Sequence, residues 1–204
     1  MPAKIKDDPK DAVLIKTVLQ IITFDTQEHF ESWMEENNSL TEGIWVRFYK
    51  KNSLTSSISY DEALDVALCY GWIDGHVKKF DELSYIRKFT PRRSKSMWSK
   101  RNIEHISRLE KENRMRPPGI REVEKAKNDG RWEKAYDSPG NMIVPDDFIR
   151  ELSKNKKAFE FYNTLNKANK YSIGWRLQTA KNVETREKRF NEILNMMDKG
   201  EKFH

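Results

Sequence analysis

Cysteine is all but missing from this chain. Cys69 is the only one in 204 residues, so no intramolecular disulfide can form. It lies inside an apolar helical pattern and is expected to be a buried, inert thiol rather than a nucleophile. Long apolar runs are missing as well. Lys16, Gln20 and Asp25 interrupt the longest ones far short of a membrane span. The first residues, MPAKIKDDPKDAVLIKTVLQ, carry early acids and no small-residue cleavage site, unlike a secretory signal, so a cytoplasmic location is expected. There is no G-x-S-x-G elbow, no G-x-x-x-x-G-K-[ST] phosphate loop and no G-x-G-x-x-G fingerprint. His29, His76, His105 and His204 have no His, Cys or acidic neighbour at ligand spacing. The expectation is therefore no catalytic residue, no metal and no cofactor.

What the chain does hold is charge and aromatic surface. Charged residues make up 34% and apolar residues 37%, with ten Phe, seven Tyr and six Trp, which fits a solvated, helix-rich protein with enough aromatic area to form a core. The net charge is +6, unevenly spread. From Ser84 to Arg116 eleven Lys and Arg stand against three Glu, a surplus of eight, which leaves the rest of the chain at −2. Such asymmetry points to an anionic partner, either a small molecule or a nucleic acid, or else to a solvated charged face.

Hydrophobic periodicity supplies the elements. DTQEHFESWMEEN reads as a helix, capped by Asp25 with Glu28 three residues on. GIWVRFYK alternates as a strand, with Ile44, Val46 and Phe48 on one side. SYDEALDVALCYG is a helix with a Ser59–Glu62 capping box, a buried stripe of Ala63, Leu64, Ala67 and Leu68, and Gly71 as its left-handed end. WIDGHVKKF and SYIRKFT form a hairpin around DEL, with Gly75 marking a bulge or a close approach. Pro91 ends the second strand, and a helix follows with Ser96 or Ser99 as cap and Ile103, Ile106 and Leu109 as its buried edge. After two prolines a short helix leads to a turn at Gly130 and an aromatic clamp of Trp132 and Tyr136. Beyond DSPGNMIV the pattern is wholly helical: Pro145 suits a first helical position, and the last helix runs to Gly200 with ETREKR as its solvated face. The expected fold is α+β. A loose tail (1–17) precedes a domain (18–136) with a small, mainly antiparallel sheet and packed helices, and an all-helical module (140–204) follows.

Candidate ligand-binding residues fall in one run. Trp72 and Asp74 lie on the first hairpin strand and Arg87 on the second; Asp74 orients a ligand or pairs with Arg87. Arg92, Arg93, Ser99, Lys100 and Arg101 surround a helix start, whose free N–H groups suit an anion. Trp98 either stacks a base or anchors the core. The positive residues are expected to share one face.

Six blocks carry a family resemblance. GIWVRFYKK, SYDEALDVALCYGWIDG, YIRKFTPRRSKSMWSKRN, GRWEKAY, VPDDF and AKNVETREKR follow one another in order and spacing. Together they resemble the YdeI/OmpD-associated, bacteriocin-protection family over about Val18 to Gly200. The resemblance implies a role in protection against antimicrobial peptides, and it brings no catalytic residues. The expectation is a non-enzymatic stress or protection protein that binds an anionic ligand through the basic hairpin and helix start. Two other readings stay open: a small-molecule enzyme with a cleft at Asp74 and Arg87, and a scaffold that docks a protein partner on the helical module.

Overall fold

The computed structural model describes residues 20–138 and 140–204, so the expected tail lies outside the described residues. The chain packs as two compact units. One is formed by the described part of Met1–Ala63 with Ile73–Pro91, the other by Leu64–Trp72 with Arg92–His204.

The first unit is built on a sheet of β1 (Ile21–Thr23), β2 (Ile44–Tyr49), β3 (Trp72–Lys79) and β4 (Ser84–Pro91), in the order β1-β2-β4-β3. β2 pairs antiparallel with β4, placing Val46 opposite Arg87 and Phe48 opposite Tyr85. The three-residue β1 adds a parallel edge to β2, so the sheet is mixed. Strict alternation along β2 sends Ile44, Val46 and Phe48 inward at 2% exposure or less. Phe30 and Met34 of α1 (Gln27–Asn37) and Phe89 of β4 are buried as well; Phe89 lies 6.1 Å from Phe30 and 6.3 Å from Phe48, ring to ring. Each fully buried Phe of this kind contributes roughly 1.5–3 kcal/mol. The α1 cap is Thr26 rather than Asp25: Thr26 has the extended backbone, and its hydroxyl accepts from His29 N at 3.3 Å.

The helix α2 (Tyr60–Cys69) begins with both capping-box bonds, Glu62 N to Ser59 Oγ and Ser59 N to Glu62 Oε2. Ala63, Leu64, Ala67 and Leu68 are buried at 1% or less, as their spacing predicts. Gly71 follows at φ +74° and turns the chain into β3. Gly75 has ordinary room: a Cβ there would sit 3.7 Å from Lys88 O, so no close approach demands glycine.

The second unit is helical. Ser99 caps α3 (Lys100–Lys111), in which Ile106 and Leu109 are buried and Ile103 half-buried. α4 (Pro117–Asn128) takes Pro117 and Pro118 into its first turn, where a missing N–H costs nothing. α5 (Asp146–Leu152), α6 (Lys156–Thr164), α7 (Lys167–Gln178) and α8 (Val183–Lys199) enclose a core of Phe148, Leu152, Ile173, Leu177, Ile193 and Met197. Pro145 proves to be the cap of α5 and not its first helical residue.

α3 and α4 fall in the same compact unit as the C-terminal helices. Backbone bonds explain this. Tyr136 N donates to Trp98 O at 3.0 Å and Lys100 N to Tyr136 O at 2.9 Å, while the Tyr136 ring meets Trp175 of α7 edge-on at 6.3 Å. The expected clamp therefore splits its partners: Trp132 packs on Trp98 and Tyr136 on Trp175.

Candidate functional site

Three stretches of the second unit converge on one cleft: the loop before α3, the turn after α4, and the link from α7 to α8. The first is held by a turn in which Ser96 N donates to Arg93 O and Arg93 N to Ser96 Oγ. The second is pinned to it by Arg131, whose Nη1 donates to Ser96 O at 2.9 Å. Arg131 also grips Asp129, its Nε lying 2.8 Å from both carboxylate oxygens. Although burial works the other way, these hydrogen bonds and the guanidinium charge hold the Asp129 carboxyl below its usual range. In the third stretch the Thr179 hydroxyl donates to Trp175 O at 2.7 Å, and Arg189 of α8 donates to Arg176 O at 2.8 Å.

The result is a cleft of about 580 Å³ with Trp175 and Met97 as its apolar surface. Lys95, Lys134 and Lys181 line it, all exposed and none in an ion pair among the described residues. The only carboxylate on its wall, Asp129, is taken by Arg131. Ammonium groups converging without a counter-charge repel one another, and an anion between them relieves that repulsion.

The residues singled out from the sequence take other places. Trp72 is buried at 1% exposure and presents no surface to a ligand. Asp74 and Arg87 are brought together across the hairpin at 2.5 Å, and Tyr60 Oη donates to the same Asp74 oxygen at 2.9 Å. The Arg87 guanidinium also lies over the Tyr60 ring, 4.2 Å from its centre. Tyr60 and Tyr85 line a neighbouring cleft of about 330 Å³, within the first unit.

Arg92 is not part of an exposed positive face. It is 7% exposed and stacks 3.4 Å above the centre of the Trp98 ring, which is itself 1% exposed. With Arg92 on one side and Trp132 beside it, Trp98 is a core anchor, and a ring so buried offers no platform for a base. The helix start near Ser99 is largely closed too. Lys100 N donates to Tyr136 O, Asn102 N to Ser99 Oγ, and Ile103 N to Ser99 O. The Lys100 ammonium pairs with Asp137 at 2.6 Å. Arg93 and Arg101 are exposed.

Sequence reasoning missed Lys134, Trp175, Lys181 and Arg189. Two of the six blocks, GRWEKAY and AKNVETREKR, contain Lys134, Lys181 and Arg189, but their convergence with Lys95 depends on packing. It also missed a buried constellation in the same unit: Asp65, 7% exposed, receives both bonds of an Arg108 nitrogen (2.6 and 2.7 Å) and lies 2.7 Å from His105 Nδ1. Among the described residues no three His, Cys, Asp or Glu side chains converge as metal ligands would.

No curated protein and no solved structure matches the chain. Residues 22–122 match the family model described as Domain of unknown function (DUF8412). Residues 141–200, which hold α5 to α8, match the family model described as Bacteriocin-protection, YdeI or OmpD-Associated, the family that the sequence resembles.

Proposed function

We propose that this chain is a cytoplasmic, non-enzymatic binding protein that holds an anionic ligand in the cleft around Trp175, and that a protective role of the kind its family description names works through that ligand. One observation carries the reading: Lys95, Lys134 and Lys181 face one cleft with no carboxylate of their own. Surface lysines ordinarily stand apart in water or pair locally, as Lys125 does with Glu122 and Lys154 with Glu151. The anionic-ligand expectation is thereby kept and moved, from the hairpin and helix start to the cleft.

A thermal-shift series with sugar phosphates, nucleotides and short oligonucleotides tests it. A ligand at a hundred times its dissociation constant adds about 2.7 kcal/mol, or roughly 5–10 °C in Tm for a unit of this size. The Lys95→Glu, Lys134→Glu and Lys181→Glu triple variant is expected to lose that shift while keeping its own melting cooperative. An equal rise in variant and wild type rejects the cleft. Salt separates a compact anion from a nucleic acid, since each neutralised phosphate of a single strand adds about −0.7 to the slope of log affinity against log salt. Three lysines predict a slope near −2, by that rule. A slope steeper than about −5 means an extended strand instead.

A further inference from the structure

Resting on the anion-binding reading above, we infer that the cleft takes a mononucleotide-class ligand, a planar ring carrying a chain of phosphates, and that it reads the phosphates by charge while scarcely distinguishing the ring. The phosphate chain follows from the cations: three ammonium groups around one space match several negative charges better than one. A ring follows from Trp175, half-buried on the same wall, with the 43%-exposed Met97 as the other apolar surface. An indole beside ammonium groups offers a stacking platform that every base can use, because every base has a π face. The volume, about 580 Å³, lies inside the range of small-ligand pockets and accommodates one nucleotide.

The weak ring discrimination follows from what most polar groups of the wall are already doing, Arg189 Nη1 among them, which donates to Arg176 O and Thr179 Oγ1. Gln178 Nε2 donates to Asp137 Oδ2 at 2.9 Å and to Ile143 O at 3.2 Å, and its Oε1 accepts from Asp137 N at 3.3 Å. Arg131 is spent on Asp129 and Ser96 O, and the Thr179 hydroxyl donates to Trp175 O. Telling one base edge from another requires directional donors and acceptors that would otherwise go unpaired. An ammonium is a rotatable point charge and does not supply that direction.

Isothermal titration in magnesium-free buffer at fixed ionic strength tests this, with AMP, ADP, ATP, GTP, UTP, ribose 5-phosphate and inorganic tripolyphosphate as probes. Affinity is expected to rise about threefold per added phosphate. ATP, GTP and UTP should agree within about threefold, as stacking tolerates any base. Trp175→Leu should weaken ATP about tenfold and leave tripolyphosphate unchanged, while Trp175→Phe, which keeps a ring and the fold, stays close to wild type. Tripolyphosphate binding as tightly as ATP, with Trp175→Leu silent, overturns the ring while anion binding stands. A preference above about tenfold for one base overturns the charge-reading account. Should no phosphate compound bind, this inference and the reading beneath it both fall.

Discussion

Asp65 is a carboxylate at 7% exposure, with polar partners on several sides. Arg108 gives it a bidentate bond, His105 lies within hydrogen-bond reach, and Arg114 stands 3.9 Å away. Removing one member of a buried group leaves the others uncompensated, which costs about 3–5 kcal/mol. Arg108→Ala is expected to lose that much in urea unfolding, because it leaves the Asp65 carboxylate, its side chain 9% exposed, without the partner that bonds both its oxygens. Asp65→Ala should lose less, about 1 kcal/mol, because the cations it releases, Arg108 at 44% and Arg114 at 26% exposure, still reach water. A larger loss in Asp65→Ala than in Arg108→Ala would show that the carboxylate is not the buried centre of the group. Nothing local signals this cluster, since 40 residues separate Asp65 from His105. The Asp74–Arg87 pair, by contrast, was foreseen, because a hairpin brings its two strands together by rule.

The elements legible from the sequence were those closed by neighbours in the chain. The α2 capping box is complete within four residues, so Ser59→Ala should cost about 1 kcal/mol, read from its urea midpoint. The start of α4 teaches the opposite lesson. A Cβ on Gly119 would come within 2.2 Å of Cys69 O, the carbonyl that accepts from Arg116 N. Gly119→Ala should therefore cost about 1–3 kcal/mol by overpacking, although alanine is the better helix former. Unchanged or raised stability would mean that the two helix ends part freely. The α3 start misled for a related reason: its free amide is closed by Tyr136 O, 36 residues downstream, and no capping rule reaches that far. The ETREKR face was half right, as Arg186 leaves its own helix to bond both oxygens of Asp147 on α5, at 2.7 and 2.9 Å.

For the whole molecule, chain order and compact units disagree. Residues Leu64–Trp72 belong to the second unit yet lie between two pieces of the first. A fragment ending at Pro91 keeps Leu64, Ala67, Leu68 and Trp72, all buried in the whole chain, without the rest of the unit they belong to, so it should be soluble only poorly and lack a cooperative melt by circular dichroism. A sharp, reversible melt of that fragment would refute the interleaving. Acid should act on both units, since Asp81 of the first is also held below its usual range, chiefly by the Ser84 hydrogen bond, and in the second Asp137 and Asp147 contribute. The Lys100 hydrogen bond, against burial and with help from Gln178, holds the Asp137 carboxyl below its usual range. At Asp147 burial pushes upward and the Arg186 bonds outweigh it. A carboxyl depressed in the folded state stabilises fully above its unfolded value of about 3.9 and loses that contribution as pH falls through the lower folded value. The Tm should thus be level from pH 7 to about 5 and fall below about 4. In Asp137→Asn with Asp147→Asn the same acid fall should be shallower; an unaltered fall would assign it to other carboxylates.

The sequence by itself determined the α+β class, the hairpin, the α2 cap and its buried stripe, and the helical C-terminal segment. Each rests on periodicity or on bonds between residues a few positions apart, which are the same in any copy of the segment. Only the tertiary structure decided which charges are available. Arg92 and Lys100 looked free and are occupied, by Trp98 and Asp137, while Lys95, Lys134 and Lys181 looked scattered and line one cleft. A charge is spent or spare according to what packing places beside it, and those neighbours come from 5 to 86 residues away, from Arg92 beside Met97 O to Lys95 sharing a wall with Lys181.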